Sequence, residues 1–147
     1  MKYEKLRQIC KRRKRYEVIG WCCFVPAFIL VVLCIASGVC SEQINDVFIG
    51  CILIAGFATI VASFVFSRFQ AKWYGMATDY VELKIMEVIS EFGIDSSKFE
   101  LIQERPALYK VGFHNQMIDY EKLQSKIDDE VAVMNIITGD VTKVELI

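Results

Sequence analysis

The sequence predicts a membrane α-helical hairpin, with two transmembrane helices, followed by a small cytoplasmic two-layer α+β domain in the order α-β-β-α-β-β. Three observations predict it. Two stretches of about 23 and 21 residues carry no charge, and about 20 apolar residues suffice to cross the hydrocarbon core. Positive charge precedes the first stretch and follows the second, while the short link between them is acidic. Beyond residue 68 the apolar pattern alternates between helical and two-residue periods.

Composition agrees with this division. Apolar residues make up 54% of the 147, and the excess is concentrated in the first half. The net charge of −1 hides an asymmetry: Met1 to Glu17 carries about +6 and Gln70 to Ile147 about −6, a split that points to separate surfaces. All six cysteines lie in the first 51 residues. The later segment therefore has no disulfide framework or thiolate zinc site, and its folding rests on an apolar core.

Residues 1–17 form a basic cytoplasmic segment ending in Lys11, Arg12, Arg13, Lys14 and Arg15. The hairpin occupies 18–67, with spans over 18–40 and 47–67 and a loop over 41–46. Each span holds about twelve Leu, Ile, Phe or Val residues, worth roughly −4 to −7 kcal/mol of insertion, with no central charge to oppose them. A link of six residues, Ser41 to Asp46, forces antiparallel neighbours. Arg68 and Lys72 follow the second span, so the positive-inside rule places both termini in the cytoplasm. A cleaved signal peptide is disfavoured because its apolar core is usually only about 7–15 residues long.

Small residues suggest how the spans pack. Cys51, Ala55, Thr59 and Ser63 recur every fourth position, with Ala58 and Ala62 alongside, and such spacing lets helices approach closely in lipid. The first span offers Cys23, Ala27, Cys34 and Ser37 or Gly38. Packing within one hairpin is the simpler reading of Cys51, Ala55, Thr59, Ala62 and Ser63, and recruitment of other copies is the sharper one. Pro26 removes a backbone donor and predicts a kink.

The cytoplasmic domain, 68–147, opens with a helix over Gln70 to Phe92, continuing from the membrane or breaking near Gly75. Val81, Ile85, Val88, Ile89 and Phe92 are its apolar stripe, and Gly93 its left-handed cap. Lys98 to Glu104 and Ala107 to Phe113 show strand periodicity around Arg105-Pro106. A helix over Tyr120 to Asp128 follows, capped by Asp119. Val131 to Thr138 and Val141 to Leu146 flank Gly139-Asp140, which predicts a hairpin of two further strands.

Groups able to do chemistry are sparse. His114 is the single histidine, and the domain offers it no cysteine partner. Asp128, Asp129 and Glu130 read as a solvated acidic turn, because consecutive helical residues splay apart. No phosphate loop or nucleophile elbow is present. The expectation is no enzyme, catalytic residue, cofactor or metal. The basic run, with Arg68 and Lys72, serves topology and anionic lipid rather than nucleic acid.

The sequence therefore leads us to expect an integral protein of the cell membrane. Its partners are the bilayer and either another protein or further copies of itself, and its cytoplasmic domain acts as adaptor or scaffold. An oligomeric pore-forming or membrane-disrupting effector is the alternative, and a membrane-anchored small-ligand sensor or enzyme comes third.

Overall fold

A computed structural model describes residues 3–114 and 117–147 apart from 41–45, with backbone alone for 37–40 and 46–48. The predicted link 41–46 thus lies outside the described residues except for Asp46. Seven elements follow in order: α1 (Glu4–Cys40), α2 (Asp46–Glu91), a 3-10 turn (Ser96–Lys98), β1 (Phe99–Arg105), β2 (Leu108–Phe113), α3 (Tyr120–Thr138) and β3 (Lys143–Leu146). The chain divides into two compact units. One comprises 11–73; the other comprises 1–10 with 74–147.

The 11–73 unit is the apolar pair. Both helices are long and apolar enough, by length and composition, to cross a membrane, and little of either apolar window is buried within the protein. Residue pairs in contact run in opposite directions along the two helices: Arg12 with Trp73, Tyr16 with Phe69, Gly20 with Ser63, and Val31 with Gly56. The pair is antiparallel. α1 runs through Pro26 as one helix, as α2 does through Gly75.

The second unit places its helices on one face of a three-stranded sheet of order β1-β2-β3. Val81, Ile85, Val88 and Ile89 of α2, Leu123, Ile127, Val131 and Met134 of α3, and Tyr109, Val111 and Val144 of the sheet are all buried. The opposite sheet face carries Glu100, Lys143 and Glu145, all exposed. Leu6 and Ile9 are buried in this unit as well. They stand three apart in the first turns of α1, so one helical face brings both inward.

Local signals account for most boundaries. Asp119 Oδ1 accepts from the Lys122 amide at 3.2 Å and starts α3. Gly93, at φ 78°, follows α2 in the left-handed conformation. Asp95 caps the 3-10 turn through the Ser97 amide. Strands β1 and β2 differ from their predicted ends by one residue or less, and Pro106-Ala107 forms the turn, with Ala107 at φ 64°.

The largest departure from expectation lies after residue 128. Residues 131–138 continue α3 rather than forming a strand, so among the described residues the order of this unit is α-β-β-α-β with three strands, not four. Val131 and Met134 extend the buried stripe begun by Leu123 and Ile127, at helical spacings of four, four and three. Gly139 ends the helix at φ 75°, its N–H donating to the Asn135 carbonyl at 2.9 Å. It is a helix stop, not a hairpin turn. Asp128, Asp129 and Glu130 consequently lie in mid-helix rather than in an acidic turn.

The strand that follows pairs parallel to β2 with α3 as the crossover, because a parallel connection needs a long return. Along its outer edge the Asn135 amide accepts from the Thr142 N–H (2.9 Å) and donates to the Thr142 carbonyl (3.0 Å). Gln124 donates to the Val144 carbonyl at 2.8 Å. These side chains stand where a further strand would pair, a recognised way of blunting a sheet edge.

Truncating Leu6 removes a fully buried side chain from the second unit. Leu6→Ala should destabilise that unit by about 2–5 kcal/mol, read as faster hydrogen exchange in β2 and α3 of the full chain.

Candidate functional site

Two places carry the residues singled out by sequence: the seam of the helix pair, with its basic end, and the polar side of the α/β unit.

On α2 the half-buried or buried positions Ile49, Ile52, Gly56, Thr59, Ser63, Phe66, Gln70 and Trp73 alternate by three and four. That is the seven-residue repeat of paired helices. On α1 the matching seam runs through Tyr16, Gly20, Cys23, Ala27, Val31 and Cys34. Ala27 is only 1% exposed. A Cβ built on Gly56 would stand 3.0 Å from Val31 Cγ2, so any larger residue there would force Val31 to give way.

The predicted packing residues divide. Thr59, Ala62 and Ser63 are half-buried along the seam, whereas Cys51 and Ala55 face outward. A strict four-residue repeat advances about 40° per step on a helix with 3.6 residues per turn, so over the three steps from Cys51 to Ser63 it turns about 120° away from a straight partner. Thr59 Oγ1 donates back to the carbonyls of Ala55 (2.8 Å) and Gly56 (2.9 Å), which satisfies the hydroxyl within its own helix. Ser37 and Gly38 are described by their backbone alone, so their place relative to the seam lies outside the described structure.

At the basic end, Lys11, Arg12, Lys14, Arg15, Arg68 and Lys72 are exposed and Arg13 is half-buried. Arg12 lies over the Trp73 ring at 5.0 Å and Arg68 over the Phe64 ring at 5.3 Å, distances suited to cation–π attraction. Tyr16 stacks on Phe69 with centroids 5.5 Å apart. The sequence placed the cations but not their aromatic partners, which come from the other helix or from one turn away.

In the α/β unit, a cavity of about 20 Å³ is bordered by Tyr74, Thr78, Tyr109, Thr138 and Thr142, room for about one water. Burial pushes the Tyr109 phenol well above its usual range, with smaller contributions from Glu82, Tyr74 and Asp79. Burial also raises the Glu82 carboxyl, followed by repulsion from Asp79. A neutral buried phenol is a structural group rather than a base at neutral pH. Sequence reasoning missed this cluster, since Tyr74, Glu82, Tyr109 and Thr142 are far apart in the chain.

His114 is exposed at the end of β2, its backbone N–H donating to the Lys98 carbonyl at 2.9 Å. On the open sheet face Lys110 pairs with Glu104 at 2.9 Å, and that hydrogen bond holds the ammonium above its ordinary value. Lys126 meets Glu91 at 2.6 Å. Among the described residues no three His, Cys, Asp or Glu side chains gather as metal ligands. Comparison with known protein families, with characterised proteins and with solved structures finds no match for this chain.

Two outcomes follow from this geometry. Gly56→Leu should separate the helix pair, seen as lost cross-linking between cysteines placed at the facing seam positions Ala27 and Thr59 of a chain whose native cysteines are replaced, whereas Ala55→Leu should leave that cross-link intact. Folding favours the neutral Glu82 carboxyl, so its ionisation opposes folding as pH rises above the ordinary value of 4.5. Glu82→Gln should therefore raise the Tm at pH 7, and the gain should vanish below about pH 4, where the acid is neutral in both states.

Proposed function

We propose that this chain is a non-enzymatic two-pass protein of the cell membrane, with both termini cytoplasmic, whose α/β unit mediates protein–protein interaction or self-association. The observation that carries the reading is a group of exposed aliphatic side chains near the end of α3. Ile136 is 85% exposed, Val141 75% and Val133 41%. Val133 and Ile136 share one helical face at a spacing of three, and Val141 follows just beyond the Gly139 cap. Exposed apolar side chains gathered in one place mark interaction surfaces more often than solitary ones do.

The topology part rests on charge. Lys11 to Arg15 precede α1's apolar run, and Arg68 and Lys72 follow that of α2, which favours a cytoplasmic location for that end. Its partners in this reading are the bilayer and either a second protein or another copy. Nucleic acid is disfavoured by the acidic balance of the C-terminal segment.

A second reading has its own observation. Cys51, Ala55 and Ala58 are exposed on α2, away from the α1 seam, and small residues on a lipid-facing surface allow hairpins to associate. In that reading the chain assembles into a pore or a membrane-disrupting oligomer.

Cross-linking the full chain in membranes, then identifying the products, tests both. Ile136→Lys with Val141→Lys should abolish the cross-linked species in the first reading, and unchanged products would sink it. Loss with Ala55→Leu instead, accompanied by reduced membrane permeability, would favour the oligomeric effector. Turnover by the purified protein in an unbiased activity screen would overturn both.

A further inference from the structure

Beside the seam, at the basic end of the helix pair, lies an open groove of about 300 Å³. Its α1 wall carries Tyr16, Glu17, Trp21 and Phe24, and its α2 wall Ser67 and Gln70. Gly20, also bordering it, leaves the floor bare, since a Cβ there would find only ordinary contact with Phe66 at 3.8 Å.

The groove is graded in polarity. From Phe24 to Glu17 the wall changes from aromatic to charged over seven residues, about 10 Å along the helix. The headgroup layer on each side of a bilayer is of comparable depth, roughly 5–8 Å. The α2 wall changes in the same sense, with Ser67 and Gln70 lying toward the basic end. Trp21 and Phe24 meet edge to face at 6.2 Å and Phe24 continues onto Phe28 at 6.1 Å, so an apolar track leads away from the polar mouth.

Charges of both signs flank this mouth. Glu17 is a carboxylate beside the rings of Tyr16 and Trp21, and an acid next to aromatic faces suits an ammonium group. Arg68, next to Ser67 but outside the groove's own lining, lies over Phe64 at 5.3 Å, which sets its guanidinium toward the apolar end beside the α2 wall, and a guanidinium suits a phosphodiester. Arg13 and Lys14 stand one turn before Glu17 on α1. Phosphate deeper and ammonium shallower is the order in an aminophospholipid, where glycerol joins the phosphate and the amine lies beyond it.

Resting on the membrane-spanning reading, we propose that this groove binds one phospholipid with a primary-amine headgroup, of the phosphatidylethanolamine type. The phosphodiester lies against Arg68 and Ser67, the ammonium against Glu17 and Gln70, and an acyl chain along Phe24. The rings attract a primary or a trimethylated ammonium alike, so the preference over the trimethylated headgroup rests on the N–H groups that only a primary amine donates to Glu17. A glycerol headgroup has no positive charge for either.

The test uses the full chain reconstituted in bilayers of equal parts phosphatidylethanolamine, phosphatidylglycerol and phosphatidylcholine, with retained lipid identified by native mass spectrometry. Phosphatidylethanolamine should be enriched about five-fold or more over each of the others, a factor near 1 kcal/mol. Glu17→Gln should remove the preference over phosphatidylcholine, while Ser67→Phe, which fills the groove, should reduce retention altogether. Enrichment of phosphatidylglycerol, or equal retention of all three, overturns the proposal. Resistance to alkaline extraction is measured on the same samples: a chain that stays in the bilayer without lipid preference sinks only this inference, and a chain that is extracted sinks the membrane reading beneath it.

Discussion

The helix pair depends on how closely two backbones can approach at Gly56 and Ala27. Two runs of about twenty uncharged residues have few ways to satisfy their own amides and carbonyls, and helices satisfy all of them internally. Once helical, they gain little from apolarity alone if their surroundings are equally apolar, so contact distance becomes the discriminating quantity. Val31 against the bare Cα of Gly56, with Ala27 buried close by along the same seam, supplies that contact. At the basic end aromatic rings replace small residues, and Tyr16, Phe66 and Phe69 pack there. The change from small to large residues along one seam leaves a groove at one end and close packing near the middle.

The α/β unit has a different organising event, the helix stop at Gly139. Because α3 runs on to Thr138, the chain cannot fold straight back as a hairpin, and β3 returns parallel to β2. The same extension carries Asn135 to the level of Thr142 and exposes Val133 and Ile136 on the far side. One backbone decision thus blunts a sheet edge and presents an apolar surface. Sheet-edge pairing and apolar contact are the two ordinary routes to association.

Legibility of the candidate sites followed the same division. The cations from Lys11 to Arg15 stand out in any reading of the chain, as do Arg68 and Lys72, since charge at the edge of an apolar run needs no partner to be noticed. Trp73 beneath Arg12, and the groove that Glu17 and Trp21 share with Ser67 and Gln70, become visible only when the two helices are laid antiparallel. Leu6 and Ile9 lie in a basic segment and carry no local signal, yet both are buried in the α/β unit. The rest of that unit begins at residue 74, beyond the reach of any local pattern.

By itself the sequence determined the two long helices, the caps at Asp119 and Gly93, the strands on either side of Pro106, and the one-sided distribution of charge. Each is set by short-range physics: solvation of a continuous run, a side chain reaching a neighbouring amide, or a φ angle that glycine tolerates. Tertiary structure decided whether 131–138 is helix or strand. Val131, Val133, Ile136 and Ile137 fit a strand, whereas Val131 and Met134 fit the stripe begun by Leu123 and Ile127. Only burial against the sheet favours the second pattern. It likewise decided which small residues of α2 meet α1, because a helix presents several such faces and the partner's path selects one.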